Sequence, residues 1–184
     1  MNPDVLRKHI AAAPFLSGLS RRQVEVIAEC ACHTQFDAGD VIFRQGETAN
    51  RFYLLENGSV QLEAALKSGE RRVLAGRIES GGVLGWSWLF EPYQWQFTAR
   101  ALTATTAIFF YGTVLREHCE ADPSLGFELF KRMSAEMVRR LQAARNRLLE
   151  AHSGFSEVAE EAGAQAGRLP AMTPSSLRTY GPVL

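Results

Sequence analysis

The chain has 184 residues, 46% of them hydrophobic, and its twenty basic side chains are balanced by twenty acidic ones. That length favours one domain with a sizeable core over two domains. The balanced charge excludes a protein-wide field that would attract nucleic acid or an anionic membrane. No apolar run approaches the roughly 20 residues that span a bilayer, and the amino terminus lacks a signal-peptide pattern. We therefore expect a cytoplasmic protein with no membrane partner.

Two short helices are predicted at the start of the chain. Leu6, Ile10 and Ala13 recur at helical spacing, which predicts the first helix. Ser20 and Gln23 form a capping-box pattern at the start of a second helix, predicted over residues 21–32. The helical signals end there.

Residues 33–111 follow the pattern of an all-β sandwich or barrel, because short apolar or alternating runs are separated by Gly, Asn or Asp. Asn57-Gly58 predicts a hairpin turn, since both central positions of such a turn favour positive φ. Residues 67–70 predict a second hairpin. The predicted strands are 34–36, 41–44, 51–56, 59–64, 72–78, 97–101 and 106–111.

After Gly112 the apolar spacing is helical again, with a short helix predicted over 113–120 and a long one over 124–151. Residues 152–184 are rich in Ala, Gly, Glu, Ser and Pro and are predicted to be a disordered tail. The long helix carries apolar side chains at the spacing of a short coiled coil. We expect a homodimer interface there, the alternative being a helix that packs only on its own domain; the interface residues would be Phe130, Met137, Leu141 and Leu148.

No catalytic or metal site is expected. Cys30-x-Cys32-His33 lacks the spacing of a zinc knuckle, and no second cysteine pair exists. Together with Cys119 the cysteines make an odd number, which fits a reducing compartment and small buried side chains. Because no Ser-His-Asp grouping or paired carboxylates stand out, we expect a protein that is not an enzyme.

Two runs with glycines at fixed offsets, GDVIFRQGE at 39–47 and FYLLENGSV at 52–60, resemble the start of the β-roll in the cyclic nucleotide-binding domain family. The resemblance covers about residues 6–150. It implies a mainly β fold with flanking helices: a β-roll of the double-stranded β-helix or jelly-roll type at 33–111, with helices at 113–151, in one domain over 1–151. Gly39, Gly46 and Gly58 are expected at turns whose φ values are closed to other residues.

In that family, a Phe-Gly-Glu segment followed by an Arg-Ala pair binds the cyclic phosphate and the ribose. In this chain Leu84, Gly85 and Leu89 match the pattern, but Trp86 stands where the ribose-binding Glu belongs. Trp95 or its Gln neighbours stand where the Arg belongs. The resemblance therefore implies a degenerate phosphate-binding cassette, for which binding of cAMP or cGMP as a cofactor is doubtful.

Arg100 lies a few residues past the expected arginine, and strand alternation with Gln96 and Thr98 leaves open that it points into the pocket. The tryptophans have two interpretations. They line a pocket for a different, aromatic or apolar ligand, or they fill the vacated space. The candidate ligand-binding residues are Val60, Leu62, Val83, Leu84, Gly85, Trp86, Ser87, Trp88, Leu89, Trp95, Gln96, Phe97, Thr98 and Arg100.

Three hypotheses about function follow. The first is a regulatory sensor domain that binds a nucleotide or other small ligand in the roll and signals through the long helix. The second is a ligand-free protein-interaction or dimerisation module. The third, a transcriptional regulator of the Crp/Fnr type, is disfavoured because residues 152–184 are too few for the helix-turn-helix domain of such regulators. We therefore expect a small-molecule or protein partner and no DNA.

Overall fold

The computed structural model describes the backbone of residues 3–65 and 72–166 and the side chains of residues 4–65 and 72–150. The chain divides into two compact units, Met1–Glu136 and Met137–Leu184. Among the described residues, no helix combines the length and the apolar character that crossing a bilayer demands.

Two helices precede the strands, as predicted: α1 (Pro3–Ala12) and α2 (Arg21–Glu29), with a short 3₁₀ turn between them. The capping box is confirmed, because Ser20 Oγ accepts from the Gln23 amide at 3.3 Å and the Gln23 side chain accepts from the Ser20 amide at 3.0 Å. α2 ends at Glu29, earlier than predicted. Cys32 belongs to a strand and pairs with Phe109, so tertiary pairing overrides the helical pattern there.

Within the part of the chain that the structure describes, eight strands follow, and all seven predicted strands are among them. The additional strand has only two residues, too few for any periodicity to reveal it. The strands are β1 (Ala31–Phe36), β2 (Val41–Phe43), β3 (Arg51–Asn57), β4 (Ser59–Ala65), β5 (Arg72–Glu79), β6 (Val83–Leu84), β7 (Thr98–Ala101) and β8 (Thr105–Tyr111).

The strands form two antiparallel sheets of four, in the orders β1-β8-β3-β6 and β2-β7-β4-β5. With helices at both ends of the chain, this is the predicted β-roll. The apolar cluster of the roll draws members from both sheets, among them Phe43, Tyr53, Leu62, Leu84 and Ala99. The opposite face of the first sheet buries Phe52, Ile108 and Phe110. Strand β3 therefore contributes side chains to two separate cores.

The hairpin prediction at Asn57-Gly58 is wrong, because β3 and β4 lie in different sheets and do not pair. Gly58 has φ 91°, and a Cβ there would lie 2.5 Å from Thr105 Oγ1, so the position demands glycine for a change of sheet. Gly39 and Gly46 also have positive φ, as predicted. The second predicted hairpin, at 67–70, lies outside the described residues.

Two helices follow the roll, α3 (Gly112–Ala121) and α4 (Pro123–Ala166). Asp122 Oδ1 caps α4 by accepting from the amides of Ser124 and Leu125 at 3.1 and 3.3 Å. α4 continues to Ala166 instead of ending near residue 151, since the intervening sequence is rich in Ala and Glu, which favour helix. Residues 167–184 of the predicted tail lie outside the described residues.

Candidate functional site

Trp95 lies inside the roll. Its backbone is held by the loop after β2, because its amide donates to the Glu47 carbonyl and its carbonyl accepts from the Gly46 amide, both at 2.9 Å. Its indole stacks on Phe43 with ring centroids 4.0 Å apart and an interplanar angle of 15°. Only 4% of Trp95 is exposed. The ring is thus part of the apolar cluster that both sheets share.

Gly85 marks the place where this ring meets the backbone of the degenerate cassette. It precedes a 3₁₀ turn, Trp86–Leu89, and has a left-handed conformation with φ 88° and ψ 46°. A Cβ at Gly85 would lie 2.8 Å from Cζ3 of Trp95, closer than packed atoms allow. The indole therefore occupies the space directly beside the Gly85 backbone.

Trp88 packs in a different core. Its ring stacks on Phe52 with centroids 5.9 Å apart, and only 1% of the residue is exposed. A Cβ at Gly112, the first residue of α3, would lie 2.9 Å from the Cβ of Trp88. Among the described residues, the indole Nε1 of Trp88 has no hydrogen-bond partner. Trp88 therefore connects the cassette turn to the start of α3 and is separated from Trp95 by strand β3.

Arg100 does not join the apolar cluster. Its strand neighbours Ala99 and Ala101 are buried, whereas the Arg100 guanidinium donates to the Gly39 carbonyl at 2.7 Å and lies 3.5 Å from Glu63. Strand alternation places it with Gln61, its partner on β4, on the face opposite Ala99. The guanidinium thus neutralises a carboxylate of the protein itself.

Glu63 is the centre of this polar group on the outer face of the second sheet. It accepts hydrogen bonds from the side-chain amide of Gln61 at 2.6 Å and from the guanidinium of Arg72 at 3.2 Å. The hydrogen bond from Gln61 and the contacts with Arg72 and Arg100 hold the pKa of Glu63 below its ordinary value, although burial acts in the opposite direction. Glu63 is therefore a structural carboxylate, each of whose two oxygens already accepts a hydrogen bond.

The other predicted ligand residues divide between environments. Val60, Leu62 and Leu84 belong to the apolar cluster, and Phe97 packs against it. The buried polar side chains described in the roll carry no charge: they are Ser59, Ser87, Thr98 and Thr105. The remaining predicted residues lie outside the cluster, with Val83 buried, Trp86 and Leu89 half-buried, and Gln96 exposed.

Arg51, the first residue of β3, was missed by the sequence analysis. Its guanidinium lies over the rings of Phe109 and Tyr111, with Cζ 4.8 and 5.5 Å from the ring centroids. It also donates a hydrogen bond to Tyr53. Burial raises the pKa of Tyr53 above its ordinary value, and the hydrogen bond from Arg51 offsets part of that rise. Alternation with Tyr53 and Leu55 was the available signal that Arg51 points to the inner face of the sheet.

The sequence of this chain can be compared with the sequences of known protein families. Residues 33–122 match the cyclic nucleotide-binding domain. These residues belong to the cyclic nucleotide-binding domain family. The matched region contains Gly85 and Trp95, so the altered cassette lies within the family's own domain and not in an insertion beside it.

Three proteins to which this chain is similar have different names. A solved structure from Geobacter metallireducens GS-15, named as a cyclic nucleotide-binding protein, is 28% identical with a TM-score of 0.66 and covers 77% of this chain and 98% of its own. A protein of Rhodopseudomonas palustris named as a potassium channel is 26% identical over 63% of this chain and 27% of its own length. A helix-turn-helix-type transcriptional regulator of Mycobacterium tuberculosis is 26% identical over 71% and 51%.

The chain spans between 12% and 51% of the length of the curated relatives it matches. Residues 33–122 of this chain match a domain family whose members are typically regulatory. Because the chain covers only part of each curated relative, the activity of a whole relative does not follow for this chain.

Two further features of the domain concern its titratable side chains. Burial raises the pKa of the Cys30 thiol to about 11, which keeps it protonated near neutral pH. Glu56 connects α1 to the roll, because its two oxygens lie 2.6 Å from the nitrogens of His9 and His33. Within the described ranges, no three His, Cys, Asp or Glu side chains are arranged to hold a metal ion.

The predicted interface residues on α4 divide between the two compact units. Phe130 belongs to the first unit and is half exposed. In the second unit Leu141 and Leu148 are 70% and 66% exposed, while Met137 is half-buried. These side chains therefore leave apolar surface on α4.

Proposed function

We propose that this cyclic nucleotide-binding domain is a non-enzymatic regulatory module in which the indole of Trp95 takes the place of a cyclic nucleotide. The observation that carries the proposal is the contact between Trp95 and the backbone of Gly85, where a Cβ would lie 2.8 Å from the indole. In the family pattern, the segment that begins at this glycine holds the cyclic phosphate. A side chain that fills this space makes the domain independent of cAMP and cGMP.

A cyclic nucleotide would have to displace the indole of Trp95. Burying a tryptophan removes on the order of 150–250 Å² from water, which contributes about 4–6 kcal/mol. The stack on Phe43 adds about 1 kcal/mol. A nucleotide would recover little of this, because Arg100 is engaged by Glu63 and Gly39 instead of facing the apolar cluster. Expelling the indole is thus unfavourable, and nothing in the cassette compensates for it.

The output of such a module would pass through α4 to a second copy of the chain. Leu141 and Leu148 lie seven residues apart and are both largely exposed, which suits one seam of a two-helix coiled coil. Sedimentation equilibrium should find a homodimer. Leu141→Glu should dissociate it, whereas Gln142→Glu, which introduces the same charge at the next position, should not.

The test of ligand independence uses the three tryptophans as reporters. We expect no change in tryptophan emission or melting temperature when purified protein is titrated with cAMP or cGMP to about 1 mM, a range that detects a binding free energy near −4 kcal/mol. Saturable quenching by either nucleotide, with a rise in melting temperature, would contradict the proposal.

A second candidate function is a sensor of a small ligand that is not a cyclic nucleotide. It is favoured by a single observation, the half-buried guanidinium of Arg51 on the inner face of β3, over the ring of Phe109.

A further inference from the structure

Arg51 lies at the end of the first sheet, on the face that points into the roll. It pairs with Tyr111 across the strands, and Tyr53 pairs with Phe109 in the same register. Side chains two residues apart on a strand share a face, so Arg51 stands beside Tyr53. Phe109 and Tyr111 meet edge to face, with centroids 5.1 Å apart. The guanidinium therefore has an aromatic floor built by strand β8.

Only some of the hydrogen-bond donors of the Arg51 guanidinium have partners. It lies over both rings and donates to the Tyr53 hydroxyl. Its Nε is buried and has no hydrogen-bond partner among the described residues. A buried donor without a partner costs free energy, and in a native structure it calls for a physical explanation.

Other half-buried arginines of the first unit do not share this property. Arg100 lies 3.5 Å from the carboxylate of Glu63, and Arg132 pairs with Glu128. In the parts of the chain that the structure describes, no carboxylate oxygen lies within 4 Å of the Arg51 nitrogens. Partly buried cations normally have an anion beside them. Arg51 and the half-buried Arg116 both lack one, but of these two only Arg51 has a buried Nε without a partner among the described residues.

We propose that Arg51 anchors the oxyanion of a small ligand, a carboxylate or a phosphate, at the open end of the roll. The planar guanidinium presents parallel N–H donors that match two oxygens of such a group. The rings of Phe109 and Tyr111 hold it in one orientation, so little side-chain entropy remains to be lost on binding. Tyr111 is 39% exposed, which leaves a route from solvent to the guanidinium.

The proposed anion contact is the Arg51 guanidinium over Phe109 and Tyr111, whereas Trp95 contacts Phe43 and the backbone at Gly85. The proposal therefore goes beyond the one on ligand independence, and each can fail alone. Binding of cAMP that survives removal of Arg51 would contradict only the earlier proposal. Failure of all simple anions to bind would contradict only this one.

The experiment is a calorimetric titration of the whole chain with inorganic phosphate, with benzoate, and with benzamide as the neutral analogue of benzoate. We expect at least one of the two anions to bind and benzamide not to bind. Which anion binds more tightly distinguishes a phosphate ligand from a carboxylate ligand. Equal binding of benzoate and benzamide would overturn the proposal, since the charge would then contribute nothing.

Arg51→Met keeps the length of the side-chain stem and removes the charge. It should weaken anion binding by about ten- to a hundredfold, the range for losing a hydrogen-bonded charged partner. The matched control is Arg116→Met, because Arg116 also lies over an aromatic ring, 4.3 Å from that of Tyr93. Equal losses in both variants, or undiminished binding in Arg51→Met, would overturn the assignment.

A measurement on the unchanged protein covers the case in which Arg51→Met does not fold. The buried Nε–H of Arg51 should exchange slowly with water and give its own resonance in a nitrogen-resolved NMR spectrum, identified by its loss in Arg51→Lys. Added anion should shift this resonance in proportion to occupancy. A resonance that stays fixed while other signals titrate would place the anion elsewhere and refute the proposal.

Discussion

Trp95 and Trp88 are almost equally buried, yet they pack in different cores, which strand β3 separates. Trp95 stacks on Phe43 inside the roll, whereas Trp88 stacks on Phe52 and contacts the start of α3. Each indole also presses on one glycine, Gly85 in the first case and Gly112 in the second. Aromatic residues that are close in sequence therefore need not share a pocket. Because successive side chains of β3 point to opposite faces of the sheet, the two indoles pack in different cores.

Truncating each tryptophan to alanine should change the stability of the protein most. Trp95→Ala and Trp88→Ala should each lower the free energy of unfolding by about 3–5 kcal/mol, the cost of a large cavity in a packed core. We expect cAMP to raise the melting temperature of Trp95→Ala and not that of Trp88→Ala, because only the first cavity opens beside Gly85. Trp88→Ala serves as the control of matched size.

If cAMP does not stabilise Trp95→Ala, or if it stabilises both truncated proteins alike, the cavity beside Gly85 would not be the nucleotide site of the family. Chemical denaturation and a thermal-shift titration of both variants supply the two measurements.

Part of the fold and of the candidate site could be predicted from the sequence. The capping box at Ser20, the seven longer strands and the positive φ at Gly39 and Gly46 depend on local chemistry, and the structure contains all of them. The family resemblance led to the roll. Leu84 and Gly85 were assigned to the cassette by motif alone; Leu84 lies within the apolar cluster of the roll, and Gly85 lies against Trp95 of that cluster.

What could not be predicted depends on pairing between distant residues. Asn57-Gly58 has the composition of a hairpin turn, but composition specifies backbone dihedrals and not which sheet the next strand joins. The orientation of Arg100 was left open for the same reason. It became definite only through its register with Gln61 and its contact with Glu63.

A smaller effect tests whether the contact between Gly85 and Trp95 is as close as its geometry indicates. Gly85→Ala should lower the free energy of unfolding by about 1–3 kcal/mol, because the new Cβ meets the indole and φ is positive. Gly39→Ala is the control: its φ is 96°, but a Cβ there meets nothing within 4 Å, so it should cost only about 1 kcal/mol.

Gly112→Ala extends this test to the other core, since its Cβ would lie 2.9 Å from that of Trp88. In a double-mutant cycle, Trp95→Ala should relieve the steric part of the cost at Gly85 and leave Gly112→Ala unchanged. Additive costs for Gly85 and Trp95 would mean that the two residues do not press on each other. Urea unfolding of the single and double variants gives the coupling free energy directly.

The smallest effect is expected on the outer face of the second sheet, away from both tryptophans. Glu63→Gln should lower the free energy of unfolding at neutral pH by about 1 kcal/mol or less, because the contacts of Glu63 with Arg72 and Arg100 are partly exposed to solvent. The pKa of Glu63 lies below its ordinary value of 4.5, so its charged form stabilises the fold above that pH. The advantage of the native protein over Glu63→Gln should therefore be constant above about pH 5 and shrink as the pH falls below 4.5. Urea unfolding across pH 3 to 7 checks the sign, and an advantage that grew on acidification would show that Glu63 is not held in its charged form.

Because the roll interior contains no such carboxylate among its described buried residues, Trp95→Ala should lose the same stability at every pH in that range.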